Sequence, residues 1–271
     1  MRQWIKCAFA VAAALLVSSC LWGPGKFQSD LMLRKDGSFV LDYRGQMVLQ
    51  LPPDAASPEP WSADKAHCFD PARSGADAVP KERPCTAAET ATQKSDHEKM
   101  VARKRKESEE MAKLFGLPGF DDAASRAFAA KLMKYAGWRS VTYRGKGVFD
   151  VDYHFVGSAG QDFVFPALPD NDMVIPFVAL RRRGDESVLV TAPAFTGGAG
   201  PLAARAPSAF KGDMKSGLVS RAEGRFTVIT DGEILTNNSE DGPAAHSGGR
   251  EVHWDVGSSS QKIPEALIRV R

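Results

Sequence analysis

The sequence predicts an α+β domain: an antiparallel β-sheet packed with at least two α-helices, with an irregular insertion after the first hairpin. Three observations carry this. Several segments alternate apolar and polar residues with a period of two. One segment, residues 121–137, places apolar residues at helical spacing. Between them lies a stretch that has neither period and is crowded with proline.

Taken in order, residues 27–51 read as strand. Phe39, Leu41, Tyr43, Met47, Leu49 and Leu51 fall on one parity, with Gly45 among them, and Asp42, Arg44, Gln46 and Gln50 on the other. A period of two gives one buried and one wet face. Lys35-Asp36-Gly37 supplies a turn back to Leu31–Leu33, so a β-hairpin opens the domain. Residues 52–94 hold seven of the chain's 17 prolines and read as an irregular surface insertion. A helical segment follows over residues 95–137. Ser95-Asp96-His97-Glu98 reads as a capping box opening a charged helix to about residue 115. Asp121 and Asp122 suit the N-terminus of a second helix, with Ala124, Phe128, Leu132 and Tyr135 on one side and Gly137 at its end. Strands return at residues 149–155. A hairpin is predicted from 174–181 to 187–191, and further strands over 224–230, 251–256 and 266–270. Residues 194–217 are rich in Gly, Ala and Pro and give no assignment.

The N-terminus has a different character. Arg2 and Lys6 flank a short start, and residues 7–17 are an unbroken apolar run of 11 residues. As a helix that run is about 16 Å long, against roughly 30 Å of bilayer hydrocarbon. It is too short to span, and reads as the core of a secretory signal. Val17-Ser18-Ser19 and then Cys20 follow. This arrangement resembles the lipobox of bacterial lipoproteins. The resemblance implies a signal peptide over residues 1–19, a diacylglycerol on the Cys20 thiol and an acyl chain on the new amine. Several acyl chains hold firmly, since each buried methylene contributes about 0.8 kcal/mol. Residues 20–26 are then a lipidated tether and residues 27–271 one domain. Leu21 is not the Asp that retains enteric lipoproteins at the inner membrane, so the resemblance implies the outer membrane, facing the periplasm.

Two of the 35 basic residues lie in the signal, which leaves 33 against 33 acidic residues and no net charge in the mature chain. Nothing electrostatic favours nucleic acid. Of four cysteines, Cys7 leaves with the signal and Cys20 is the acylation site. Cys68 and Cys85 remain for a disulfide, which an exported compartment permits. Their spacing fits neither a Cys-x-x-Cys redox motif nor a zinc pattern. Closing that loop is worth about 3 kcal/mol in chain entropy.

A second likeness covers about a quarter of the chain. The stretch from Cys20 through Pro24-Gly25-Lys26-Phe27 to Asp36-Gly37-Ser38-Phe39 resembles the start of uncharacterised proteobacterial lipoproteins. Thr230-Asp231-Gly232-Glu233-Ile234, Asn237-Asn238 and Val252-His253-Trp254 resemble the close of LppM-type lipoprotein domains. These imply a β-rich fold in the cell envelope and supply no activity. The insertion over residues 52–120 departs from the compact pattern.

Candidate chemistry is sparse. Asp150, Asp152 and His154 share one face of a strand and are types that ligate a divalent metal or move protons. Members about 7 Å apart do not converge on one ion without ligands from elsewhere. Alternate polar residues are also what any wet strand shows, and that is the preferred reading. His253 and Asp255 stand in the same relation. Asp170-Asn171-Asp172 lacks the remaining spacing of a calcium loop and reads as a turn. Gly157-Ser158-Ala159-Gly160 lacks nucleophile-elbow spacing, and Gly197-Gly198-Ala199-Gly200 follows no phosphate-loop pattern. Lys99 and Arg103 to Lys106 form a basic run, but Glu107, Glu109 and Glu110 balance it, so it reads as a solvated helix. Arg181-Arg182-Arg183 reads as a charged hairpin tip. Asn237-Asn238-Ser239 matches a glycosylation sequon and reads as turn chemistry in a bacterial protein.

The expectation is therefore a lipid-anchored envelope protein, not an enzyme, with no cofactor and a structural or binding role toward an envelope protein partner. The alternatives are a periplasmic carrier, enclosing an apolar ligand between the sheet and the Phe128 helix, and a hydrolase.

Overall fold

The computed structural model describes residues 22–49, 60–70, 81–114, 119–168, 175–184, 186–197 and 222–271. Among these, the chain is mostly β, with two α-helices. The strands are β1 (Trp22–Leu33), β2 (Ser38–Leu49), β3 (Cys68–Phe69), β4 (Glu82–Arg83), β5 (Trp138–Gly145), β6 (Val148–Ser158) and β7 (Phe163–Phe165). They continue with β8 (Val178–Arg182), β9 (Ser187–Thr191), β10 (Glu223–Thr230), β11 (Glu233–Asn237), β12 (Ala244–His246), β13 (Gly249–Val256) and β14 (Glu265–Arg269). The helices are α1 (Ala87–Leu114) and α2 (Asp122–Leu132).

A seven-stranded sheet runs β12-β13-β10-β1-β2-β6-β5, and a five-stranded sheet runs β11-β14-β9-β8-β7. Every pair is antiparallel except β1 with β10. The predicted alternation decides which face is buried. Tyr43 lies opposite Tyr153, and Met47 opposite Phe149, so the odd residues of β2 and β6 share the inner face. Phe226 and Trp254 extend that face through β10 and β13. Over it the five-stranded sheet lays Val178, Leu180, Val188, Val190 and Ile268, all buried. The two layers meet through aromatic rings: Phe39 with Phe163 at 4.9 Å, Tyr43 with Phe165 at 5.1 Å and Phe27 with Phe195 at 4.1 Å. Offset and tilted pairs at these separations add about 1 kcal/mol each beyond area burial. The architecture is thus a two-sheet sandwich with helices added, β-richer than the α+β prediction.

α2 closes the rest of the inner face. Asp121 caps it, accepting from the Ala124 N–H at 2.7 Å. Its buried side is Ser125, Phe128, Ala129 and Leu132, and Phe128 stacks on Trp22 at 5.3 Å. Tyr135 falls beyond the helix end and is exposed, contrary to its expected place on the core stripe.

The N-terminal boundary moves too. β1 begins at Trp22, so residues 22–26 belong to the sheet and are not tether. Gly23-Pro24-Gly25 looks like linker in sequence, but a β-bulge between Pro24 and Phe27 absorbs it. The bulge brings Lys26 and Phe27 against Gly45, where any Cβ would collide with their backbone. At the other end the hairpin turn is as predicted. Gly37 takes a φ of +82°, and its N–H reaches the Arg34 carbonyl at 2.9 Å.

α1 starts nine residues earlier than predicted. Its capping box is Thr86 and Glu89, not Ser95 and Glu98: the Glu89 carboxylate accepts from the Thr86 N–H at 2.9 Å, and Thr86 Oγ1 accepts from the Glu89 N–H at 3.3 Å. The disulfide Cys68–Cys85 lies just before it, closing the two-residue ribbon of β3 and β4. Most of α1 is exposed, laced by pairs such as Arg103–Glu107 and Arg105–Glu109. A helix polar all round is held by such pairs rather than by a core stripe.

Candidate functional site

The outer face of the seven-stranded sheet carries the predicted metal candidates, and β6 does point Asp150, Asp152 and His154 the same way. The structure does not bring them together. Each is taken by a partner outside the trio. His154 lies opposite Asp42 on β2, and its Nδ1 donates to Asp42 Oδ1 at 2.8 Å. Asp152 lies opposite Arg44, with 3.7 Å between Oδ2 and the guanidinium, while its Oδ1 is buried without a hydrogen-bond partner among the described residues. Asp150 binds the Arg144 guanidinium at 2.6 Å. Among the described residues no group of three or more His, Cys, Asp or Glu is arranged to hold a metal ion. The arrangement is a ladder of cross-strand polar pairs.

His253 and Asp255 likewise part company. Arg225 holds Asp255 through two hydrogen bonds, at 2.7 and 2.9 Å, which keeps that carboxyl below the usual carboxylate range. His253 Nε2 stands 3.3 Å from Asp241. Beside this pair lies a cleft of about 450 Å³ edged by Trp254, Phe195, Glu240, Asp241 and Lys262. Its lining is mixed in charge.

The remaining motifs resolve into local structure. Ser158 Oγ accepts from the Gly160 N–H at 3.4 Å, within a turn. Arg181 and Arg182 end β8, and the Arg183 N–H closes the turn onto the Ser187 carbonyl at 2.8 Å. Asp170-Asn171-Asp172, Gly198 to Gly200 and Cys20 lie outside the described residues. The space between α2 and the sheet, where an apolar carrier would hold its ligand, is filled by the rings of Trp22, Phe128 and Phe149. Among the described residues no helix is long and apolar enough to cross a membrane.

What sequence reading missed is the bonding role of Asn238. Its Oδ1 accepts from Trp254 Nε1 at 2.9 Å and from the Glu265 N–H at 3.0 Å, and its Nδ2 donates to the Ile263 carbonyl at 2.7 Å. Asn237, Asn238 and Trp254 were visible as a spaced motif, but pairing across two sheets leaves no local signature.

No family model matches the chain, and no curated protein does. Among solved structures it is similar to the folded domain of LppM from Mycobacterium tuberculosis, determined by NMR. That match covers 92% of each chain at 11% identity, with a TM-score of 0.28. A likeness that loose carries nothing about function.

Proposed function

We propose that this chain is an exported lipoprotein of the bacterial cell envelope, acylated on Cys20, with a binding or structural role and no catalysis of its own. The observation that carries the reading is the order of the first 20 residues: a basic start, an 11-residue apolar run too short to span, small residues, then Cys20. The Cys68–Cys85 disulfide supports it, because such bonds persist in exported compartments. The paired-off charges of the outer sheet face and the local roles of Ser158 and His154 support a non-catalytic role. Leu21 after Cys20 favours the outer membrane, with the domain in the periplasm and an envelope protein as partner. The test is detergent phase partitioning of the native protein with mass spectrometry of its N-terminal peptide. Partition into detergent with an acylated Cys20 is the expected result. An unmodified N-terminus at residue 20 or later, with the protein in the soluble fraction, overturns the proposal.

A further inference from the structure

Only Leu21 separates Cys20 from Trp22, and Trp22 is already fixed in the fold. It is 3% exposed, pairs with Leu49 across the hairpin and stacks on Phe128. Two steps of extended chain reach about 7 Å. On the lipoprotein reading above, the lipid therefore leaves from the lip of the sandwich, with no length of linker to hold the domain away from the bilayer.

Strand register identifies what else lies at that end. Val48 pairs with Val148, Gly145 also pairs with Val148, and the Leu49 N–H donates to the Gly147 carbonyl at 2.7 Å. The turn joining β5 to β6 is thus two strands from Trp22, about 10 Å away at sheet spacing. Its tip is Lys146, exposed and at a φ of +51°, and it makes no ion pair among the described residues. Arg144 beside it is held by Asp150. The opposite pole is the turn from Arg34 to Gly37, about 35 Å along β1.

We propose that this end of the sandwich rests on the phosphate layer of the bilayer, with the turn carrying Lys146 as its contact. The partner is a phosphoglyceride surface. The anchor sets the distance, and an ammonium with no carboxylate partner among the described residues faces lipid phosphate. The ends of the long insertion are rooted at the same pole, since β2 stops at Leu49 and Asp122, at the start of α2, accepts from the Tyr143 hydroxyl at 2.7 Å.

The test uses the full-length protein, acylated in cells and reconstituted into vesicles of phosphatidylethanolamine and phosphatidylglycerol that carry a lipid with a nitroxide headgroup. A fluorophore is attached at Lys146→Cys or at Lys35→Cys. Cys20 is acylated and Cys68 paired with Cys85, so the introduced thiol is the reactive one. Arg144→Cys, on the same turn, is the second site and carries the same expectation. Given the 35 Å between the poles, quenching at 146 should exceed that at 35 by about threefold or more. A smaller ratio, in protein that floats with the vesicles, overturns this orientation and leaves the anchor standing. Protein that fails to float overturns the anchor and the orientation together.

Discussion

Asn238 and Trp254 are joined by a 2.9 Å hydrogen bond from the indole Nε1 to the amide oxygen, and that bond ties the two sheets of the sandwich at one corner. Trp254 sits on β13 of the seven-stranded sheet and stacks on Phe226 at 5.6 Å. Asn238 follows β11 of the other sheet and also holds the chain entering β14 through Ile263 and Glu265. One side chain thus joins two donors and one acceptor, the Trp254 bond half-buried and the other two at the surface.

Asn238→Ala should therefore cost more than an ordinary surface change. Losing the half-buried indole bond costs about 1 kcal/mol, and the two surface bonds add less. We expect a loss of about 1–2 kcal/mol in denaturant unfolding, and a red-shifted Trp254 emission as water reaches the indole. Asn238→Asp keeps the acceptor oxygen and should recover the Trp254 bond while losing the amide donor to Ile263. A midpoint unchanged in Asn238→Ala would show that the corner is not a strut.

Buried tyrosines set the alkaline limit. Tyr43 is fully buried, donates to the Gln46 carbonyl at 2.7 Å and is pushed well above the usual tyrosine range by burial. Burial also raises Tyr153, to about 12. Both folded values lie above the unfolded value of about 10, so the folded state keeps protons that the unfolded state releases. Their contribution is fully present below about pH 10 and is lost as pH rises toward 12 and beyond. Tyrosinate absorbance and far-UV circular dichroism, followed together, should show these two ionising only as the sheets unfold. Ionisation of all four tyrosines in a molecule that keeps its circular dichroism would refute this.

How much of this was legible depended on the range of the interaction. The alternation in β6 needed only neighbours, and its buried face was read correctly. The start of β1 was not: a bulge restores the register across Gly23-Pro24-Gly25, and only pairing with β2 reveals that Trp22 belongs to the core. The Thr86-x-x-Glu89 capping box was present in the residues but sat inside a proline-rich stretch that masked the helix signal. β7 and β12, three residues each, are too short for any period to register. For the candidate site, the shared face of Asp150, Asp152 and His154 was legible. Their separate partners Arg144, Arg44 and Asp42 were not, since two of the three come from β2, more than a hundred residues away in sequence for the Asp42–His154 pair.

The disulfide should matter to the insertion and little to the sandwich. Cys68–Cys85 fastens β3 and β4 to the start of α1, alongside the Arg83–Glu89 pair at 2.6 Å and the Gln93 amide donating to the His67 carbonyl at 3.0 Å. None of residues 60–70 contributes to the central hydrophobic cluster. Cys68→Ser with Cys85→Ser should leave the main thermal transition within about 1 °C, because the roughly 3 kcal/mol of loop closure falls on the insertion, which unfolds apart from the sandwich. Tryptic cleavage after Lys81 should accelerate. A large fall in the main transition would mean that the insertion and the sandwich unfold as one.

Trp22 separates the strand from the tether most sharply. If residues 20–26 only linked lipid to domain, Trp22→Ala would be silent. In the fold its ring lies 5.3 Å from Phe128 and 5.4 Å from Phe149, at the junction of sheet and helix, and emptying such a site costs about 3–5 kcal/mol. The indole adds a second, independent test. Its Nε1 is buried with no hydrogen-bond partner among the described residues, so the polar end of the side chain contributes no bond that a smaller ring would forfeit. Trp22→Phe should then cost only about 1–2 kcal/mol, the price of lost volume with the stacking retained. The order Ala well below Phe, and Phe just below wild type, is the expected result in urea unfolding followed by circular dichroism. Equal losses for Ala and Phe would instead mean that the indole N–H holds a partner of its own, and no loss in either would return residues 22–26 to the tether.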